Sequence, residues 1–425
     1  MSAPAATLET GTAGPADAGE RRTVAVVSLA HGCSHFFHLV VPPLFPWLKV
    51  EFGLSWAELG LLMTVFFAVS GVGQALAGFV VDRIGAVPVM LASLACFVVA
   101  ALAIATAPGH AALVAGCALA GLGNSPFHPV DYSILNARVP APRLARAYAV
   151  HAIAGNLGWA LAPVFMVGIT GAAGWRVAAA AAALLAAAVL ATAWAHRERL
   201  AGVPVGRLGI VRAASASASG GGPRGADSTF AFLRLPAVWM SFAFFFTMAV
   251  AFGGLQTFGP EAARVLHGVD AQWVAACLTV YMLASAAGTV LGGWTAGDPA
   301  KAERVVATGF GAASLFSLAI ALTDAPGWMV PILFGAMGFG AGTAGPARDL
   351  LVRRASPPGA TGRVYGLVYS GLDAGMALAP AGFGRLMDHG MPSTVWLVIA
   401  GFQALLIGSA LSVGRIGRAR AAVAA

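Results

Sequence analysis

Three histidines stand close together in an apolar stretch near the start of the chain, HGCSHFFHLVVPP over residues 31–43. His31, His35 and His38 have helical spacing, and at about 100° per residue they form a stripe roughly 60° wide on one helix face. A histidine ring titrates near neutral pH, and its nitrogens can donate or accept hydrogen bonds. The stripe therefore has three interpretations: a proton or substrate site, a transition-metal pathway, or structural contacts between helices.

Two aspartates also fall within apolar stretches. Asp373 is the strongest single candidate for a proton carrier, because apolar surroundings favour the protonated form of a carboxylate and ionisable groups within a membrane usually serve function. Asp131 precedes Arg138 and Arg143, so we favour a gating salt bridge between Asp131 and one of these arginines. The predicted substrate or proton pathway consists of His31, His35, His38, Asn124, His128, Asp131, His151, Asn156, Gln256 and Asp373.

The composition predicts that these residues lie on membrane-spanning helices. The 425 residues are 59% hydrophobic and 10% charged, with a mean hydropathy of +0.81, whereas soluble domains carry about 25% charged residues. Continuous apolar runs of about 20 residues predict spanning helices and exclude the alternating strands of a β-barrel. The expected fold is an all-α integral membrane protein, with spans at 24–48, 55–80, 86–107, 111–136, 146–170, 177–195, 237–259, 271–296, 303–323, 328–350, 363–386 and 393–414.

The basic residues indicate how this bundle is oriented. Of 25 Lys and Arg residues, only Lys49, Arg176, Arg264 and Arg385 fall on one side of the predicted topology. Cytoplasmic loops carry such an excess of positive charge, so we predict a multi-pass protein of a bacterial inner membrane with both termini cytoplasmic. The net charge of +8 is thereby explained without nucleic acid as a partner.

A polar, Gly- and Ser-rich stretch at 196–236 divides the spans into two sets of six, and the two sets repeat one plan. ARAYAVHAIAGNLGWALAP ends at Pro163 and TGRVYGLVYSGLDAGMALAP ends at Pro380, so that Asn156 aligns with Asp373 at an offset of 217. Tandem halves of this kind are typical of alternating-access transporters with a substrate site between the halves. The predicted units are a cytoplasmic tail (1–23), a six-helix bundle (24–195), a cytoplasmic linker (196–236), a second six-helix bundle (237–414) and a second tail (415–425).

The loop GFVVDRIGAVPVM, residues 78–90, resembles the loop motif of the major facilitator superfamily. Gly78, Asp82, Arg83 and Gly85 match that motif, although Ala86 and Val87 stand where the family usually has basic residues. The resemblance implies a twelve-helix transporter in which Asp82 and Arg83 form a cytoplasmic latch between helices. GGWTAGDPAKAER, residues 292–304, is a looser copy of this loop in the second half, and it contains Asp298.

A second segment, GLGNSPFHPVDYSILN at residues 121–136, resembles the fosmidomycin-resistance branch of that superfamily, and so does the pair Ser34–His35. This resemblance implies proton-coupled export of a drug-like or anionic compound. The motif GNLGWALAP lacks the paired glycines that drug exporters carry after Pro163, which leaves open the uptake of an organic acid or other nutrient. Uptake of a transition metal such as copper is a third possibility.

The sequence contains no Gly-Lys-Ser/Thr phosphate loop and no Ser-His-Asp arrangement, and its loops contain no His/Cys metal cluster. We therefore predict a protein that is not an enzyme and needs no cofactor or resident metal. Its expected partners are a small-molecule substrate, protons and the lipid bilayer, and we expect it to function as a monomer.

Overall fold

The structure is a computed structural model that describes residues 18–201, 236–295, 302–355 and 361–424. All regular secondary structure in these residues is helical, as the sequence predicts. Most of the predicted linker and all of the loop around Asp298 lie outside the described residues. The helices are α1 (Ala18–His38), α2 (Phe45–Phe52), α3 (Trp56–Ile84), α4 (Ala86–Ala105), α5 (His110–Asn124), α6 (Phe127–Arg138), α7 (Ala141–Ala173), α8 (Trp175–Ala195), α9 (Arg197–Leu200), α10 (Pro236–Thr257), α11 (Gly259–His267), α12 (Ala271–Thr295), α13 (Ala302–Leu322), α14 (Val330–Ala355), α15 (Thr361–Asp388) and α16 (Pro392–Ala424).

Nine helical segments among the described residues are long and apolar enough to cross a membrane. The three remaining predicted spans coincide with α5 and α6 together, with α15 and with α16. The span predicted at 111–136 is interrupted between Asn124 and Phe127, where Pro126 has no N–H to donate to the preceding turn and caps the start of α6. This interruption separates Asn124 from the polar residues of α6.

Helices of the first half pack mainly on one another, as do helices of the second half. α1 contacts α7 and α4 contacts α8, while α10 contacts α15 and α12 contacts α14. The halves meet where α3 packs on α15 and where α7 packs on α12. Because α3 and α12 occupy corresponding places in the two halves, as do α7 and α15, the two contacts are related by the repeat.

One contact between the halves lies at the end of the bundle formed by the α1–α3 and α15–α16 turns, which we call the far end. The backbone N–H groups of Trp56 and Ala57 donate to the carboxylate of Asp388 at 2.6 and 2.9 Å. Within its own half, α3 is capped by Ser55 and Glu58, which form a reciprocal capping box. The first turn of α3 is therefore held by acceptors from both halves.

The loop of the first half that matches the superfamily motif lies between α3 and α4. Asp82 and Arg83 are exposed at the end of α3. Gly85 joins the two helices with a φ of +90°, a conformation that an L side chain rarely adopts. Gly78 has open space around it, since a methyl group added there would meet nothing within 4 Å. The predicted latch role of this loop remains a prediction.

Candidate functional site

Asp131 is completely buried on α6 and binds two histidines from two other helices. Its Oδ2 lies 3.0 Å from Nδ1 of His31 on α1 and 3.0 Å from Nε2 of His151 on α7. Each ring can donate an N–H to this shared oxygen. The predicted gating pair with Arg138 or Arg143 is wrong, because Asp131 points into the bundle instead. Arg143 binds Glu20, its Nε lying 2.9 Å from Glu20 Oε1.

The imidazole rings around Asp131 are in direct contact with one another. His31 stacks on His151 with ring centroids 3.6 Å apart and contacts His35 at 4.3 Å. His128 lies 5.5 Å from His31 and is exposed, whereas His31 and His151 are buried. His128 therefore forms the open edge of the group. The histidine cluster, as we use the term, consists of His31, His35, His128, His151 and Asp131.

A second network begins one turn further along α1, at His38. Nε2 of His38 and Oγ of Ser34 lie 2.9 and 2.6 Å from Oδ1 of Asn124. The amide nitrogen of Asn124 donates to Oγ of Ser70 at 2.8 Å. On its other edge, His38 accepts a hydrogen bond at Nδ1 from the indole N–H of Trp159, at 3.2 Å. This His38 network links α1, α3, α5 and α7.

Close packing of α1 on α7 positions both groups. A methyl group added at Gly155 would lie 2.7 Å from Nδ1 of His35 and 3.0 Å from Nε2 of His31. Only glycine therefore leaves room for the two rings against α7. The break before α6 then lets this short helix place Asp131 between the rings of α1 and α7.

The group around Asp131 also resembles a metal site, since one ligand atom each from His31, Asp131 and His151 lies within 4.8 Å of the others. Bonds from a metal to imidazole nitrogens are about 2.0–2.1 Å long and lie in the plane of each ring. The two rings stack with an angle of 25° between their planes, and the two nitrogens each lie 3.0 Å from the shared carboxylate oxygen. The observed distances are therefore those of hydrogen bonds to one carboxylate oxygen.

Two polar atoms in this region have no hydrogen-bond partner among the described residues. They are Oδ1 of Asp131 and Nδ1 of His35, and both are inaccessible to solvent. An unpartnered buried polar atom carries a penalty of about 1–3 kcal/mol. Both atoms can accept a proton, so the site has two atoms at which a further proton could bind.

The second half contributes two of the predicted pathway residues, Gln256 and Asp373, and neither forms a hydrogen bond to the histidine cluster in the described part of the chain. Oδ2 of Asp373 lies 3.4 Å from the amide nitrogen of Gln74, at the α3–α15 contact. No hydrogen bond among the described residues joins Asp373 to the histidine cluster. Gln256 is buried on α10, and neither of its amide atoms has a partner in the described part of the chain. Asn156 is half-buried on α7.

Three residues that complete these networks are not among the residues predicted from the sequence: Trp159, Ser70 and Tyr132. The exposed ring of Tyr132 stacks over His128 at 6.2 Å. A signal for Trp159 was present, because residues 151, 155 and 159 are spaced four apart and so share one face of α7. The hydroxyl of Ser70 could be assigned only once α3 was placed beside α5.

The fold and the site together define a multi-pass helical membrane protein with a buried cluster of histidines around one carboxylate. The family model of the Major Facilitator Superfamily matches residues 27–380 and 271–416. The chain belongs to this superfamily, as its loop motif and its repeat predicted.

Among curated proteins, the chain is similar to the fosmidomycin resistance protein of Escherichia coli, with 26% identity over 180 residues, 41% of this chain and 44% of that protein. This similarity confirms the resemblance stated from the sequence. A multidrug resistance protein B homolog of Mycobacterium tuberculosis is 29% identical over 160 residues, 38% of this chain and 30% of that protein. The matched regions thus span less than half the length of either relative.

Solved structures agree on the fold. A bacterial homolog of the human lysosomal transporter Spinster, in an inward-facing and unoccupied conformation, has a TM-score of 0.72 and 15% identity, covering 94% of this chain and 99% of that chain. The nucleoside transporter NupG has a TM-score of 0.73 and 14% identity, covering 93% and 99%. At these identities the likeness shows the fold alone.

Proposed function

We propose that this chain is a proton-coupled secondary transporter of a small organic solute, which works by alternating access. In this proposal it lies in a bacterial inner membrane with both termini in the cytoplasm. The observation that carries the proposal is the shared hydrogen bonding of His31 and His151 to one buried oxygen of Asp131.

This arrangement suits proton binding because its charge can change by single steps. A carboxylate with two histidines can hold or release a proton while keeping hydrogen bonds to the shared oxygen. A net charge within the membrane costs at least about 2.5–3.5 kcal/mol on insertion scales. The protonation state of the histidine cluster can therefore bias the equilibrium between conformations. His128, on the exposed edge, is the proposed point of proton entry.

The contacts between the halves support a conformation closed at the far end. Asp388 binds the first turn of α3 there, and Oγ of Thr279 on α12 donates to the carbonyl of Ala160 on α7 at 2.7 Å. With the termini cytoplasmic, the far end is periplasmic, and the described state is closed on that side. Transport then requires these contacts to break.

The names of the relatives support export of a drug-like or anionic compound. Fosmidomycin resistance and multidrug resistance are properties of those proteins, and we extend them to this chain only as a proposal. The alternative is proton-coupled uptake of an organic acid or other nutrient. Export and uptake differ in the direction of proton movement. An antiporter moves protons in the direction opposite to the solute, and a symporter moves protons in the same direction.

The test uses the purified chain in liposomes that contain a pH-sensitive dye. Fosmidomycin, other antibacterial drugs, small organic acids and Cu²⁺ are added one at a time, with Asp131→Asn beside the wild type. We expect one compound class to change the internal pH, and we expect this change to be lost in Asp131→Asn. The matched control is Asp324→Asn, since Asp324 is an exposed acid in the turn between α13 and α14.

Three outcomes contradict the proposal. If the wild type moves solute without proton flux, the protein is a facilitator and is not coupled to protons. Proton flux that survives in Asp131→Asn would remove the histidine cluster from the mechanism. A response to Cu²⁺ alone would show that the cargo is a metal and overturn the organic solute.

A further inference from the structure

We propose that Trp159 couples the protonation of His38 to the contact between the two halves. This inference rests on the proton coupling proposed above and assigns a positioning role to a residue outside the predicted pathway. Trp159 is the point where the polar networks of the first half meet an aromatic ring of the second half. Its indole N–H donates to His38, and its ring stacks on His35 at 4.1 Å and contacts Phe252 of α10 edge-on at 5.5 Å.

The hydrogen bonds determine which nitrogen of His38 carries the proton. An indole N–H can only donate, so Nδ1 of His38 must accept from Trp159. The ring proton is then on Nε2, where it is donated to Oδ1 of Asn124. His38 is therefore held in one neutral tautomer with both nitrogens bonded.

A second proton can bind His38 only at Nδ1, which is the atom that Trp159 occupies. Two N–H groups cannot form a hydrogen bond with each other, because neither is an acceptor. A proton that binds Nδ1 must therefore displace the indole N–H. The step forms one N–H bond at Nδ1 with a proton given up by water or by a neighbouring imidazolium, and it leaves His38 as a cation. The arrival of a proton is thereby converted into the release of one side chain.

Release of Trp159 affects the second half because of where its ring lies. Phe252 packs against that ring from α10, and Tyr281 of α12 contacts Phe252 in turn at 6.3 Å. The next residue of α7, Ala160, accepts the hydrogen bond from Thr279 of α12. Movement of the indole therefore disturbs the α7–α12 contact directly.

The titratable groups that face His38 all belong to the first half in the described part of the chain. His35 lies on α1, as His31 does, with its ring centroid 5.2 Å from that of His38, and α6 and α7 contribute His128, Asp131 and His151. The other elements packed around His38 supply neutral groups: Phe66 and Phe67 of α3 contact its ring, and Asn124 lies on α5. The ring of His35 is therefore the titratable group in direct contact with His38 among the described residues.

The test measures the separation of the halves at the far end as pH changes. Spin labels replace Val50 on α2 and Val265 on α11, both exposed, in a chain whose four cysteines are replaced by alanine. Distances are measured by pulsed electron paramagnetic resonance in lipid nanodiscs from about pH 5 to about pH 8. We expect the wild-type distance distribution to shift to longer values at low pH.

Two variants should fix this distance in opposite directions. Trp159→Phe keeps an aromatic ring but has no N–H, so it should show the long, low-pH distance at every pH. His38→Gln keeps a donor and an acceptor but does not titrate, so it should show the short distance at every pH. Trp328→Phe is the matched control, because Trp328 is exposed in the turn before α14, and it should follow the wild type.

The outcomes separate this inference from the proposed function. If the wild type responds to pH and Trp159→Phe responds equally, the role of Trp159 is wrong while proton coupling stands. If both fixed variants show the same distance, Trp159 is merely structural. If the wild type does not respond to pH, proton coupling itself fails and this inference fails with it.

Discussion

The two halves of the molecule share a packing plan and differ in their chemistry. A methyl group added at Gly158 on α7 would overlap the backbone of α1, and one at Gly375 on α15 would lie 2.6 Å from the carbonyl oxygen of Phe246 on α10. These two glycines align in the repeat. Each lets two helices of its half approach to backbone contact, as small residues do in membranes.

The side chains that face α7 and α15 are different. On α1 the neighbours of α7 include His31 and His35, whereas on α10 the neighbours of α15 include Phe242 and Ala249. The second half does bury polar groups, but the described ones form isolated pairs, such as Ser317, which donates to Gln403 at 2.9 Å, and Glu261, which accepts from Arg264 at 2.7 Å. Duplication thus preserved the scaffold, while the titratable cluster is confined to one half.

The largest expected effect tests the shared packing. Gly158→Val and Gly375→Val should each prevent correct folding, because either side chain would meet backbone atoms that cannot move aside; overpacking costs about 1–3 kcal/mol and occasionally more. The measurement is the yield of monodisperse protein and its thermal unfolding. Gly168→Val and Gly382→Val are controls with nothing within 4 Å. If the protein tolerates only one of Gly158→Val and Gly375→Val, the two halves do not share this packing.

The next effect concerns the two acids. Asp131→Asn should lose proton-coupled transport, whereas Asp373→Asn should retain part of it, because Asp373 is half-buried and has one long contact to Gln74. Initial rates of proton flux in liposomes measure both. Equal loss in the two variants would mean that the second half carries a proton as well, and a larger loss in Asp373→Asn would reverse the assignment.

A smaller effect is expected from paired substitutions in each half. In a double-mutant cycle of His31→Ala and His151→Ala, we expect a coupling energy within the range of about 0.5–3 kcal/mol, because both rings bind Asp131. For Ser317→Ala and Gln403→Ala we expect about 0.6 kcal/mol, the average for a hydrogen bond within a membrane. Thermal unfolding in detergent measures both cycles. An additive result for the histidines would show that the shared oxygen does not link them.

The smallest effect lies at the far end. Asp388→Asn removes the negative charge that faces the first turn of α3, an interaction worth about 0.3–1 kcal/mol, and should favour separation of the halves. The readout is the fraction of long distances between labels at Val50 and Val265. Glu58→Gln changes the cap within one half and should leave that fraction unaltered. If Glu58→Gln raises this fraction and Asp388→Asn does not, the hydrogen bonds of Asp388 contribute only to the stability of α3.

Much of the architecture follows from composition and pattern. Each spanning helix must form the hydrogen bonds of its backbone within the helix, and its surface must be largely apolar. The repeat, the superfamily loop and the set of candidate residues in α1, α5, α6 and α7 are visible along the chain for this reason. Helical spacing also placed His31, His35 and His38 on one face of one helix before any neighbour was known.

What the sequence could not provide is which helix each face meets. Chain order predicts that Asp131 pairs with the arginines that follow it, whereas the packing of α6 between α1 and α7 brings it to histidines instead. Trp159 gained its role in the same way, from neighbours on α1 and α10. Chain order and hydropathy determine that a helix spans the membrane, but pairing between spans depends on contacts between distant residues, and these were decided by the tertiary structure.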